Sequence, residues 1–274
     1  MRFRTEYSGS SFLELMQLQY PQLLPNLQGD LTQLGSTLPH GTTVLAFKFD
    51  GGVVVAGDRL ATAGMQVASR DIQKVFRTDT HSMMAISGAA GPCIEMARIL
   101  SVELEHYEKI EGEQLELEGK ANKLSQMIRQ NLPAAMQGLA VIPIFAGFDL
   151  RRNDGRLWKF DVTGGRYEEA EFEATGSGGL FARESLKQSW HSSQSRSESI
   201  VSSVRALTAA ADEDRATGGV DLRRGIFPII MCASEAGIDQ VNESEIASAY
   251  EEVLEGRSDG HRAGRSASEG GTES

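Results

Sequence analysis

The 274-residue chain is 40% apolar and 24% charged with a formal net charge of −11, the composition of a globular protein with one large domain or at most two. The acidic balance excludes nucleic acid as a main partner, because phosphate recognition needs a basic footprint. No apolar run approaches the about 20 residues of a membrane span, and the N-terminal arginines are not followed by the apolar core of a secretory signal. No membrane association is therefore expected.

Residues 1–41 differ from the rest. They are rich in Leu, Gln, Ser and Pro, with apolar anchors from Phe12 to Tyr20 and prolines at 21, 25 and 39 that interrupt any long helix. At Thr42 the texture changes. TTVLAFKFD reads as a strand, Asp50-Gly51-Gly52 as a turn, and VVVAGD as a second strand. MMAISG (83–88) is another short strand. After Gly91-Pro92 a helix places Met96, Leu100, Leu104 and Tyr107 on one face, and a second carries Ala121, Leu124, Ile128 and Leu132 up to Pro133. Strands are expected at 141–149, 157–162 and 166–174. Two helices follow, one after Ser177-Gly178-Gly179 and one with Ser197 as its N-cap. IFPIIMCA (226–233) reads as a strand whose Pro228 suggests an edge or a bulge. A last helix spans 243–254, and residues 256–274 read as a disordered polar tail. Hairpins alternating with helix pairs predict an α+β fold in which two antiparallel sheets stack between helix layers.

Several chemistries are excluded by their missing residues. TGSGGLF (175–181) has Phe181 where a dinucleotide loop needs Gly and Thr175 where a nucleophile elbow needs Gly. No phosphate-binding GxxxxGK[ST] run exists. The five histidines never pair at metal-ligand spacing. Cys93 and Cys232 sit in apolar surroundings with neither disulfide nor zinc spacing, so both are expected as buried thiols, and a reducing cytoplasm fits them. No metal or organic cofactor is expected.

One junction carries chemistry: Leu38-Pro39-His40-Gly41-Thr42-Thr43-Val44 puts a hydroxyl residue at the opening of the first strand. Alone it is a common arrangement. It is followed by GGVVVAGDRLATAG (51–64), ASRDIQKVFRTD (68–79), MMAISGAAG (83–91), ATGSGGLFA (174–182) and DEDRATGGVDLRRGIFP (212–228). With these segments in this order, from Thr42 to Leu254, the chain resembles the catalytic β-subunits of the 20S proteasome, most closely the actinobacterial kind.

The resemblance implies the four-layer αββα sandwich of N-terminal nucleophile hydrolases. It also implies a propeptide, residues 1–41, removed by self-cleavage between Gly41 and Thr42 to leave a catalytic domain of 42–255. Thr42 falls on the nucleophile. Asp58 and Lys74, 16 and 32 residues later, fall on the charged pair beside it. Ser177, Asp214 and Thr217 fall on groups near the new amino terminus; the family often has Ser at the position of Thr217, and the hydroxyl is kept. Gly88 falls on the oxyanion N–H, and Thr62 on a residue whose backbone pairs with extended substrate. Ala61, Ile72, Phe76, Ile86, Ala90 and Ile94 fall on the pocket for the residue before the cut.

The residue types suit the chemistry. A threonine hydroxyl needs a base, and its own α-amine, with an ordinary pKa of about 7.7–8.0, can serve once cleavage creates it. By the same resemblance, two seven-membered β rings lie between two α rings. An ATPase ring then feeds unfolded or tagged proteins to an inner chamber. A two-component bacterial ATP-dependent peptidase shares the Thr-Thr start and the GSGG segment, but it is shorter and lacks the DEDRATGGVDLRRG run. A non-catalytic ring subunit is disfavoured because every mapped position is chemically competent.

Overall fold

A computed structural model describes residues 41–63 and 66–269, with side chains through residue 257. Its strands form two five-stranded antiparallel sheets and one hairpin. The first sheet has the order β10 (Phe172–Gly176), β1 (Thr43–Phe49), β2 (Gly52–Gly57), β11 (Ile229–Ser234), β12 (Gly237–Gln240). The second has the order β5 (Val75–Arg77), β6 (Ser82–Ala85), β7 (Ile144–Asp149), β8 (Asp154–Phe160), β9 (Arg166–Glu169). A separate hairpin joins β3 (Ala61–Ala63) to β4 (Gln66–Ser69). The helices are α1 (Ala90–Glu111), α2 (Leu117–Gln130), a single turn α3 (Leu132–Ala135), α4 (Gly179–Ser189), α5 (Arg196–Glu213) and α6 (Glu243–Glu269).

Three buried clusters define the layers. Alternate residues of β1 and β2 (Val44, Ala46, Val53, Val55) meet Val75, Met83, Ala85, Ile144 and Leu157 of the second sheet. Their neighbours Leu45, Phe47, Val54 and Ala56 point the other way, onto Leu186, Val204 and Leu207 of α4 and α5 and Ile246 of α6. On the far face of the second sheet, Met84, Phe145 and Trp158 pack against Leu100, Leu104, Leu124 and Ile128 of α1 and α2. Both faces of both sheets are therefore covered, which is why the strands read as continuous apolar runs and not as alternating ones. The result is the αββα sandwich expected from the sequence.

Several boundaries differ from expectation. The segment 166–174 holds two strands, β9 and β10, in different sheets; its charged alternation runs unbroken across the crossing at Ala170-Glu171. Pro228 lies just before β11, where no ladder donor is required, and β11 is an interior strand between β2 and β12. The N-cap of α5 is Ser195, held by a reciprocal capping box with Glu198. The last helix does not stop at 254, and the tail expected to be disordered from 256 is helical to Glu269. No proline interrupts that stretch, and Arg257 pairs with Asp212 of α5 at 2.7 Å. Residues 1–40, all but the last residue of the expected propeptide 1–41, lie outside the described residues. No helix among the described residues is long and apolar enough to cross a membrane.

Candidate active site

Antiparallel pairing brings the site together. Because β1 runs against both β2 and β10, its first residues lie beside the last residues of each: Thr43 faces Gly176, and Val44 faces Gly57. Thr42 therefore sits between Asp58, which follows β2, and Ser177, which follows β10. Lys74 enters from the second sheet, directly before β5, and Asp214 is the C-cap of α5.

Lys74 and Asp58 are almost fully buried, with side chains 2% and 0% exposed and Nζ 2.5 Å from Oδ1. The Lys74 Nζ also donates to Leu60 C=O at 2.6 Å and to Gly41 C=O at 3.4 Å. Three acceptors match the three donors of an ammonium. Burial pushes the Lys74 pKa below its ordinary value, while the charge and hydrogen bond of Asp58 and the charge of Asp214 pull it back up. Asp58 accepts four bonds in all: Thr43 N–H (2.8 Å) and Lys74 on Oδ1, and Leu60 N–H (2.9 Å) and Gly218 N–H (2.8 Å) on Oδ2. A carboxylate held by four donors is fixed in place, which makes the pair a rigid platform under Thr42.

On the other side of Thr42, its N–H donates to Ser177 Oγ at 3.4 Å, and Ser177 donates to Asp214 Oδ2 at 2.5 Å. Thr217 donates to the same oxygen at 2.6 Å. Burial pushes Asp214 upward, but hydrogen bonds from Ser177, Thr217 and the Ala216 N–H, aided by the Lys74 charge, hold it below the usual carboxylate range. Since Thr217 spends its proton on Asp214, Thr43 is the donor in the 2.5 Å Thr43–Thr217 contact and itself accepts from Gly178 N–H at 3.0 Å. Thr43 was not anticipated; the doubled threonine at 42–43 was its only trace in the sequence. Leu60 C=O and Gly218 N–H were also missed, because backbone groups leave no residue-type signal.

The Gly41–Thr42 junction is drawn together. Thr42 Oγ donates to Gly41 C=O at 2.7 Å, and Gly41 is buried. A Cβ at 41 would overlap Thr62 Oγ1 and lie 2.6 Å from Ala216 Cβ, so only glycine fits there. Thr62 thus borders Gly41. Among the described residues its strand, β3, pairs only with β4, which leaves the second edge open to an extended chain.

Gly88 lies in an isolated bridge with Val141. Ile142 N–H donates to Ser87 C=O (2.9 Å) and Ala89 N–H to Ala140 C=O (2.9 Å) on either side of that bridge, so Gly88 occupies its non-hydrogen-bonded position and its N–H is left for another acceptor. Its φ of +109° and the Ala140 carbonyl behind its Cα both require glycine. Of the six expected pocket residues, Phe76, Ile86 and Ile94 pack into one cluster beside Cys93. Ala90 opens α1, Ala61 opens β3, and Ile72 N–H donates to Arg59 C=O. Cys93 and Cys232 are buried free thiols.

Comparison with known proteins agrees with this geometry. Residues 38–222 match the family model described as proteasome subunit. Among curated relatives, the proteasome subunit beta of Acidimicrobium ferrooxidans is 50% identical over 252 residues, covering 91% of this chain and 92% of the relative. That of Acidothermus cellulolyticus is 48% identical over 253 residues, covering 90% and 87%. That of Streptomyces griseus is 47% identical over 250 residues, covering 91% and 89%. With the fold, the buried Lys74–Asp58 pair and the Gly41–Thr42 junction in place, the chain belongs to the proteasome family, among its β-subunits.

Proposed function

We propose that the chain is a threonine-type endopeptidase of the proteasome core, matured by its own Thr42. The observation that carries this reading is the convergence on Thr42 of a buried ammonium at Lys74, a carboxylate–hydroxyl relay at Asp214 and Ser177, and a hydrogen bond from its own Oγ to the Gly41 carbonyl.

In the uncut chain, Oγ attacks the Gly41 carbonyl carbon. The C–N bond breaks and the nitrogen of Thr42 takes the proton, leaving an ester between Gly41 and Thr42. Water hydrolyses that ester, restores the hydroxyl and releases residues 1–41. The amide N–H that now faces Ser177 becomes a free amine in the same place, with Ser177 and Asp214 to orient it. That amine takes the Oγ proton when a substrate carbonyl arrives. The Gly88 N–H stabilises the oxyanion, Lys74 favours negative charge on Oγ, and the amine later protonates the leaving nitrogen.

Thr42→Ala in the assembled complex should accumulate the uncut precursor and lose peptidase activity, with no adduct from a peptide epoxyketone. The wild type should be labelled at Thr42. A processed, labelled Thr42→Ala chain free of other proteases would refute the reading.

The pH profile has a definite sign. Asp214 is held below the usual carboxylate range and is ionised near neutrality, so the acid limb of kcat/KM belongs to the α-amine. The nearby Lys74 charge disfavours a second cation and moves that limb below the ordinary value of about 7.7–8.0. Activity is lost as pH falls through it. A limb found only in the carboxylate range, below about 5, would assign the base elsewhere.

The uncharged pocket of Ala61, Ile72, Phe76, Ile86, Ala90 and Ile94 favours apolar residues before the cut. Peptides with Leu or Phe there should exceed those with Lys or Glu by about tenfold or more in kcat/KM; the reverse order would remove these six from the pocket. The assembly follows the family: the β-subunit joins α-subunits in the core, with stacked seven-membered rings, an ATPase ring at the α ends, unfolded or tagged protein substrates and a cytoplasmic location.

A further inference from the structure

The donor at Gly88 is one half of a peptide group whose other half is the Ser87 carbonyl. Whatever grips that carbonyl fixes the direction of the Gly88 N–H. Two groups grip it: the Ile142 N–H at 2.9 Å and the Cys93 Sγ at 3.3 Å. The Ser87 side chain adds a second clasp, donating to the Ile142 carbonyl at 2.6 Å with Thr175 Oγ1 3.4 Å away. Thr175 lies on β10 and pairs with Val44 on β1, so the clasp ties the Gly88 loop to the strand pair that directly follows Thr42.

We infer that Ser87 and Cys93 are positioning residues for the oxyanion donor: Ser87 locks the 87–88 peptide onto the 140–142 segment, and the Cys93 thiol orients and polarises it through the Ser87 carbonyl. This rests on the assignment of Gly88 N–H to the oxyanion. A donor on a peptide C=O polarises the same peptide's N–H and strengthens the bond it donates by about 10–30% in condensed-phase estimates. The effect grows where water is excluded, and Ser87 and Cys93 are both nearly fully buried. Cys93 sits in the first turn of α1, anchored there by its own N–H to Ala89 C=O at 3.1 Å. Burial pushes its thiol up to about 12, so it keeps its proton across the working range. Neither residue needs to touch substrate to act. Gly88 is a poor probe of the same donor, because any side chain there meets the Ala140 carbonyl.

The test uses the complex co-expressed with its α-subunits. Losing an oxyanion donor outright costs about 10²–10³ in kcat, and mis-aiming one forfeits part of that. Ser87→Ala should lower kcat about 10- to 30-fold and Cys93→Ala about 3- to 10-fold, with KM within about twofold. Affinity for a peptide aldehyde, whose adduct places an oxyanion against Gly88, should fall in parallel with kcat. Affinity for the same peptide as an unreactive amide should not change. Cys93→Ser restores a donor to the Ser87 carbonyl and should recover most of the loss, while Cys93→Val, which fills the space with no donor, should not.

Variants that lose thermal stability with kcat and aldehyde affinity unchanged, or Cys93→Val equal to wild type in kcat, would overturn the inference. If the wild type itself formed no Thr42 adduct, the assignment beneath the inference would fail first, and the two failures are told apart by that control.

Discussion

Lys74→Ala yields an uncut chain with peptidase activity down by about 10³-fold or more. The substitution removes the charge that meets the Gly41 carbonyl before cleavage and, in the proposal above, the one that favours negative charge on Oγ and keeps the new amine neutral afterwards. It also strands Asp58, which has no exposed side-chain surface, opposite an empty site. Breaking a buried pair from one side costs about 3–5 kcal/mol, so loss of fold and loss of chemistry must be separated. The double variant Lys74→Met/Asp58→Asn does this. Both charges are gone, the amide oxygen can keep the Leu60 and Gly218 N–H bonds that Oδ2 accepts, only the Thr43 N–H loses its acceptor to the amide NH2, and part of the stability should return while activity does not. Melting temperatures, kinetics and N-terminal sequencing of the two variants check the expectation. Substantial activity in the stable double variant would make the pair structural only.

Gly41→Ala slows maturation by about 10²-fold yet leaves the mature enzyme untouched. The added methyl collides with Thr62 Oγ1 and Ala216, and a displacement of about 1 Å at a reacting carbonyl is enough for that loss. In the proposed maturation Gly41 leaves with the propeptide, so material cleaved slowly, or produced with Thr42 already at its terminus, should have wild-type kcat and KM. A time course of precursor loss, followed by kinetics on the product, reads both halves. Wild-type processing by Gly41→Ala would mean that the described packing around the junction is not the conformation that reacts.

Much of the fold was legible because apolar runs bounded by glycine are strong strand signals: β1, β2 and β6 were all found, as were the amphipathic helices α1 and α2. The misses share a cause. β5 and the β3–β4 hairpin are three- or four-residue strands, too short for a period to show. The change of sheet at Ala170-Glu171 leaves no mark because EAEFE (169–173) alternates charged and apolar residues straight across it. The α5 cap was legible after all, since Ser195 and Glu198 stand at the S-x-x-E spacing.

At the site, Thr42, Asp58 and Lys74 came from the order of several segments and not from any single motif, and the structure brings them together. What the sequence could not convey is the backbone's share. Leu60 C=O holds Lys74, Gly218 N–H holds Asp58, and the Ser87–Gly88 peptide leaves its N–H unpaired in the bridge through its φ and its position there. Any residue type supplies such groups, so only coordinates reveal them.

The most direct test of the whole account is the intact mass and N-terminal residue of the active, co-expressed complex. The account requires a chain that begins at Thr42 and has lost the mass of residues 1–41. A chain that hydrolyses peptides with its leader still attached, or that begins at any other residue, would contradict it.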